Sequence, residues 1–162
     1  MISYNGYKGT FFLCYHELTF YGKKGKMKLY GGYPMREKLE QLIKNASTPY
    51  YHFPVACVVE CKDGTLFDGV NVETSSQGSG VCAERVALFS AIAHGYHKGD
   101  FKTLYLYNTT DKNIFPCFIC RQALMDYCDM DTKIVSYNNK GEVMEVLVRD
   151  LCPYPFDEGD LR

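Results

Sequence analysis

Three of the eight cysteines in this chain stand where the sequence begins a helix. Cys82-Ala-Glu-Arg opens a run in which Ala83, Val86, Ala87, Phe89, Ser90, Ala91 and Ile92 recur helically until Gly95. Pro116-Cys-Phe-Ile-Cys leads into a second run, predicted to start near Cys120 and to reach Cys128. A helix start carries unpaired N–H groups and the positive end of the macrodipole, and both favour a thiolate over a thiol. A fold that joins these two starts gathers three thiolates at one point. Few folds can do so.

Three thiolates suit Zn²⁺, which takes sulfur ligands at about 2.3 Å in a tetrahedron. The C-x-x-C turn offers Cys117 and Cys120, and Cys82 supplies the third ligand. A closed structural site has four protein ligands, yet no fourth Cys or His lies at motif spacing, and His16, His52, His94 and His97 all fall elsewhere. One coordination position is therefore expected to be left for water. Glu84, two residues after Cys82, can reach that position without being a ligand, which is where a general base belongs. An isolated C-x-x-C also occurs in redox proteins; Cys-Ala-Glu followed by Pro-Cys-x-x-Cys is the more specific combination. The remaining thiols, Cys14, Cys57, Cys61, Cys128 and Cys152, read as small buried hydrophobes.

Pro34 to Ala46 sets Met35, Leu39, Leu42 and Ile43 on one helical face. Val55-Ala-Cys-Val-Val-Glu and Thr65-Leu-Phe-Asp-Gly-Val-Asn-Val, joined through Lys62-Asp-Gly, predict a hairpin. Leu104-Tyr-Leu-Tyr, Lys133-Ile-Val-Ser-Tyr and Val143-Met-Glu-Val-Leu-Val add strands. The tail Leu151-Cys-Pro-Tyr-Pro-Phe is expected to be irregular. The resulting order, helix, strand, strand, helix, strand, helix, strand, strand, implies an α/β domain of three layers around a mixed sheet of about five strands. Residues 34–162 are expected to form the catalytic domain. Residues 1–33 make an extension of unassigned role, whose Lys23, Lys24, Lys26 and Lys28 read as a solvated turn.

Charge narrows the choice of partner. With 18 Lys+Arg against 19 Asp+Glu the chain lacks the surplus that binds phosphate polymers, so nucleic acid is not expected and a small neutral partner is. No stretch of 18 apolar residues and no secretory leader is visible, so no membrane association and a cytoplasmic, reducing setting are expected.

At these residues the sequence resembles the cytidine deaminase family, of the small type with three cysteine ligands. The zinc deaminase signature has the form H-x-E…P-C-x-x-C, with cysteine in place of the histidine here. The likeness extends to Tyr50-Tyr-His-Phe-Pro-Val-Ala and to Asn71-Val-Glu, and covers roughly residues 36 to 156. It implies zinc-dependent hydrolytic deamination of free cytidine or deoxycytidine, a pyrimidine salvage reaction, with Cys82, Cys117 and Cys120 on one zinc per chain and Glu84 shuttling protons. It further implies that Asn71 and Glu73 bind the ribose hydroxyls, that Phe53 packs near sugar or base, and that the Ala83 backbone reads the pyrimidine edge. Arg85 and Arg121 would donate to cysteine sulfurs. Phe156, in a tail like the family's Leu-Pro-x-x-Phe, would reach a neighbouring subunit's site in a homotetramer.

Departures from the family pattern lie near the pocket: Phe118 where glycine is common, Thr74-Ser-Ser-Gln after Asn-Val-Glu, and Ala56-Cys57 after the strand valine. Other substrates therefore stay open, either a cytosine-bearing antibiotic of the blasticidin type or a base in a polynucleotide. A non-catalytic zinc protein used for assembly is the alternative from another class.

Overall fold

A computed structural model describes residues 33–156 and 158–161. The extension at 1–33 lies outside them apart from Tyr33, as does Cys14. From Arg36 on the chain is one compact unit. Strands β1 (Val55–Cys61), β2 (Leu66–Val70), β3 (Phe101–Asn108), β4 (Lys133–Tyr137) and β5 (Val143–Leu147) form one sheet in the order β2-β1-β3-β4-β5. Only β3 and β4 run parallel. That pair needs a crossover, and helix α3 (Phe118–Tyr127) supplies it. Helices α1 (Tyr33–Leu42) and α2 (Ala83–Ala93) complete the order that hydrophobic periodicity predicts, and a short α4 (Val148–Leu151), not expected from the sequence, follows β5.

The β1–β2 hairpin follows from its turn chemistry. Gly64 N–H bonds to the Cys61 carbonyl, Cys61 N–H to the Thr65 carbonyl, and Gly64 takes φ +88°, a conformation without steric cost only for glycine.

Strand alternation divides the sheet into two faces. Val55, Cys57, Val59 and Cys61 meet Ala83, Ala87 and Ala91 of α2 and Ala123, Leu124 and Cys128 of the α3 region in one apolar core. On the other face are Ala56 and Val58, paired across strands with Tyr107 and Tyr105. Helix α1 covers this side, with Lys38 on Asp68 and the Arg36 guanidinium over the Tyr107 ring. The helix-sheet-helix layering expected of the sequence is present.

Three boundaries differ from expectation. The first helix tightens to a 3-10 turn at Ile43–Asn45. Helix α3 begins at Phe118 rather than near Cys120, because Cys117 keeps an extended backbone (φ −64°, ψ 167°) and caps it. The last strand stops at Leu147: Val148 and Arg149 turn their N–H groups to Thr132 and Met130, and Asp150 accepts the Leu147 N–H, which starts α4. Cys57, Cys61 and Cys128 are buried as expected, whereas Cys152 is only partly so. No helix among the described residues is long and apolar enough to cross a membrane.

Candidate active site

Two helix starts converge on the same face. Cys82 caps α2 with its carbonyl on the Arg85 and Val86 N–H groups, and Cys117 caps α3 with its carbonyl on that of Arg121. Cys120 sits in the first turn of α3 and is buried. The Cys82 and Cys117 sulfurs are 3.7 Å apart and those of Cys117 and Cys120 3.6 Å, and all three lie within 4.8 Å of one another. A tetrahedral ion with Zn–S bonds of about 2.3 Å holds its sulfurs about 3.8 Å apart. Donor chemistry and spacing both fit zinc, so the predicted ligand trio is brought together as a three-cysteine metal site.

The electrostatics of the cluster favour anionic sulfur. The Cys82 thiol is pulled down to about 5, chiefly by the hydrogen bond from Cys120, with burial opposing and with Cys117 and Arg85 assisting. Cys120, which gives that bond and is buried, is correspondingly raised. Arg85 lies beside the Cys120 and Cys82 sulfurs, which against the opposing effect of burial raise its guanidinium above the ordinary arginine range, while its Nε is buried without a partner among the described residues. Glu84, only 6% exposed, is pushed up to about 7 by burial, with the charge on Cys82 adding to the rise. A carboxyl with that affinity gives or takes a proton readily at neutral pH.

Helix α2 reaches this place because small residues line its inner face. Ala83, Ala87 and Ala91 are fully buried, and opposite them β2 carries Gly69. This close seating fixes the height of the turn that bears Cys82 and Glu84.

The predicted sugar-binding pair has a structural task of its own. Asn71 accepts the Val55 N–H through Oδ1 and donates through Nδ2 to the Phe53 carbonyl, at 2.8 and 2.9 Å. One carboxylate oxygen of Glu73 accepts the N–H groups of Tyr50 and Tyr51, at 2.8 and 3.0 Å. Together they stitch down the loop 48–55, in which His52 adopts φ +51° and Phe53 is half exposed. Asn71 retains one amide hydrogen beyond these bonds and Glu73 a second carboxylate oxygen, the complement a vicinal diol needs.

Arg121 departs from expectation. Its guanidinium donates to the carbonyls of Pro116 and Leu151, both at 2.8 Å, and lies over the Phe118 ring, so it serves backbone oxygens rather than a sulfur. The carbonyl of Phe156 accepts from Gln122, which draws the tail along α3, and its side chain is 57% exposed. Sequence reasoning also missed the polar network behind the C-x-x-C turn. Asn108, Ser136 and Asn138, all fully buried, bind the segment 110–114: Asn108 Nδ2 donates to the Lys112 carbonyl, Ser136 Oγ accepts the Ile114 N–H, and Asn138 Nδ2 donates to the Asp111 carbonyl. An asparagine cluster at neighbouring strand ends was the available signal.

A family model, the cytidine and deoxycytidylate deaminase zinc-binding region, matches residues 34–136. A cytidine deaminase of Sporosarcina psychrophila is 35% identical over 118 residues, covering 73% of this chain and 85% of that protein. One of Halalkalibacterium halodurans is 35% identical over 121 residues, covering 75% and 90%. The crystal structure of cytidine deaminase from Burkholderia pseudomallei superposes with a TM-score of 0.71 at 37% identity, covering 74% of this chain and 94% of that one.

Proposed function

The chain belongs to the cytidine and deoxycytidylate deaminase family, and from that premise we propose that it hydrolyses free cytidine and deoxycytidine to uridine and deoxyuridine with release of ammonia, as in pyrimidine salvage. The observation that carries the reading is the convergence of the Cys82, Cys117 and Cys120 sulfurs beside a buried carboxyl, Glu84.

Zinc bound by the three sulfurs supplies a Lewis acid that makes water acidic near neutral pH. Glu84 takes a proton from the attacking water and hands protons on to the ring nitrogen and to the departing amine, so its near-neutral affinity suits both halves of the task. Arg85 offsets the net negative charge that three thiolates leave around a divalent ion. Asn71 and Glu73 hold the sugar hydroxyls with the polar atoms that the loop leaves free. The Ala83 backbone reads the pyrimidine edge, and Phe53 packs against sugar or base.

We further assign the catalytic unit to residues 34–162, acting in the cytoplasm as a homotetramer. Support for assembly comes from large apolar side chains left in water close to the site in sequence: Phe118 is 81%, Ile119 65% and Tyr154 95% exposed. Phe156 is the residue assigned to a neighbouring subunit's pocket.

The test is ammonia release from zinc-replete protein offered cytidine, deoxycytidine, blasticidin and a single-stranded oligonucleotide. Turnover of the two nucleosides supports the proposal. Preference for either of the others overturns the substrate, and about one zinc per chain with no turnover at all overturns catalysis.

A further inference from the structure

Arg121 follows the ligand Cys120 directly, yet its hydrogen bonds lead away from the sulfurs. Nε donates to the carbonyl of Pro116, the residue just before the ligand Cys117. Nη1 donates to the carbonyl of Leu151, where α4 ends and the irregular tail departs. The Phe118 ring, 4.7 Å from the guanidinium carbon, closes over the same group. A planar guanidinium can hold two acceptors in fixed directions at once, which an ammonium point charge cannot. Arg121 thus ties the peptide entering the C-x-x-C turn to the Leu151 carbonyl, 30 positions beyond Arg121 itself. Among the described residues Cys117 is the most exposed of the three sulfur donors, so it is the ligand that most needs its backbone held.

We infer that Arg121 is a positioning residue that makes the C-terminal segment part of the metal site: the clamp holds Cys117 against loss of the ion, and the bound ion in turn holds residues 151–156 against α3. The inference rests on the three-cysteine zinc site. Positioning of a ligand by outer hydrogen bonds characteristically changes metal retention by roughly 10- to 100-fold. Coupling between two sites is reciprocal, so a clamp that retains zinc must also be strengthened by it.

The experiment uses the full chain loaded with zinc. Zinc release to a chromophoric chelator is timed well below the unfolding temperature for the wild type, Arg121→Ala, Arg121→Lys and Leu124→Val, the last loosening the same helix from the core without touching the clamp. Both Arg121 variants are expected to release zinc roughly tenfold faster or more, and Leu124→Val at close to the wild-type rate after correction for its unfolding temperature. In a second arm, hydrogen exchange of the amides of Cys152, Tyr154 and Phe156 in the wild type is expected to speed up when zinc is stripped, and Arg121→Lys is expected to abolish that difference. Release from Arg121→Lys at the wild-type rate, equal acceleration in Leu124→Val, or tail exchange indifferent to zinc would each overturn the inference. A wild-type protein that binds no zinc would overturn the metal site itself, and is distinguished by metal analysis before any release is timed.

Discussion

Gly69 of β2 lies directly beneath Ala83 of α2: a Cβ at Gly69 would stand 2.4 Å from the Ala83 carbonyl oxygen and 2.5 Å from the Ala87 amide nitrogen. Both are backbone atoms, so neither can swing aside as a side-chain tip would. Gly69→Ala is expected to lift the first turn of α2, at a cost of about 1–3 kcal/mol typical of overpacking. Thermal unfolding should show a lower midpoint, and zinc titration a weaker site because Cys82 moves with the turn. An unchanged midpoint and zinc affinity would contradict the packing described.

Glu84→Gln replaces the buried carboxyl by a neutral group of the same shape. It is expected to keep about one zinc per chain and to lose about 10²–10⁴-fold in kcat, the span of general acid–base catalysis. Metal analysis and ammonia release on one preparation check both halves; full turnover removes Glu84 from the proton path.

Cys117 and Cys120 should differ when each is changed to serine. Both variants lose the zinc site, but Cys120 is 1% exposed and Cys117 exposed. A hydroxyl at position 120 is buried, so zinc-free Cys120→Ser should be less stable than zinc-free Cys117→Ser by about 1–3 kcal/mol. Urea unfolding of both without metal measures the gap.

Removing the Asn71 side chain deprives the Val55 N–H and the Phe53 carbonyl of partners at once. Asn71→Ala is expected to lower stability by about 1–3 kcal/mol and to raise KM proportionally more than it lowers kcat. Asn71→Asp keeps the acceptor for Val55 but sets a carboxylate against the Phe53 carbonyl. Its loss of nucleoside affinity should therefore exceed its loss of stability.

The hairpin supplies a pH-dependent prediction. Asp63 is held below the ordinary carboxylate range, first by the Thr65 N–H and then by the Tyr96 hydroxyl. A carboxylate depressed on folding stabilises the native state above its unfolded value near 4 and loses that contribution as the pH falls through its folded value. In zinc-free protein, Asp63→Asn should melt lower than the wild type at pH 7, and the difference should close as the pH falls through the depressed folded value of Asp63.

Much of this architecture is readable from local signals, and what is not has a common cause. The helix after Cys82 ends where Gly95 ends it, the Lys62-Asp-Gly turn makes its hairpin, and the spacing of Cys82, Cys117 and Cys120 implies their meeting. The first two depend on neighbours a few positions away, and the third on a short motif at each of two helix starts. Gly69 looks like any strand glycine until α2 is laid over it. Arg121 next to a cysteine suggests a sulfur partner, and only the fold reveals carbonyls at Pro116 and Leu151, since a backbone oxygen leaves no trace in side-chain pattern. Asn108, Ser136 and Asn138 come from two different strands and their ends, and their joint grip on 110–114 needs β3 and β4 side by side. The strand expected to run on through Val148 fails likewise, because Thr132 and Met130 take its amides.

The 35 positions between Cys82 and Cys117 also carry a consequence for synthesis. As the chain emerges, Cys82 waits for α2 and β3 before its two companions arrive, and a lone thiol binds a divalent ion poorly. Metallation is thus a late event in the life of the newborn polypeptide, and a cell short of the ion would accumulate finished sheets whose two helix starts have nothing to join them.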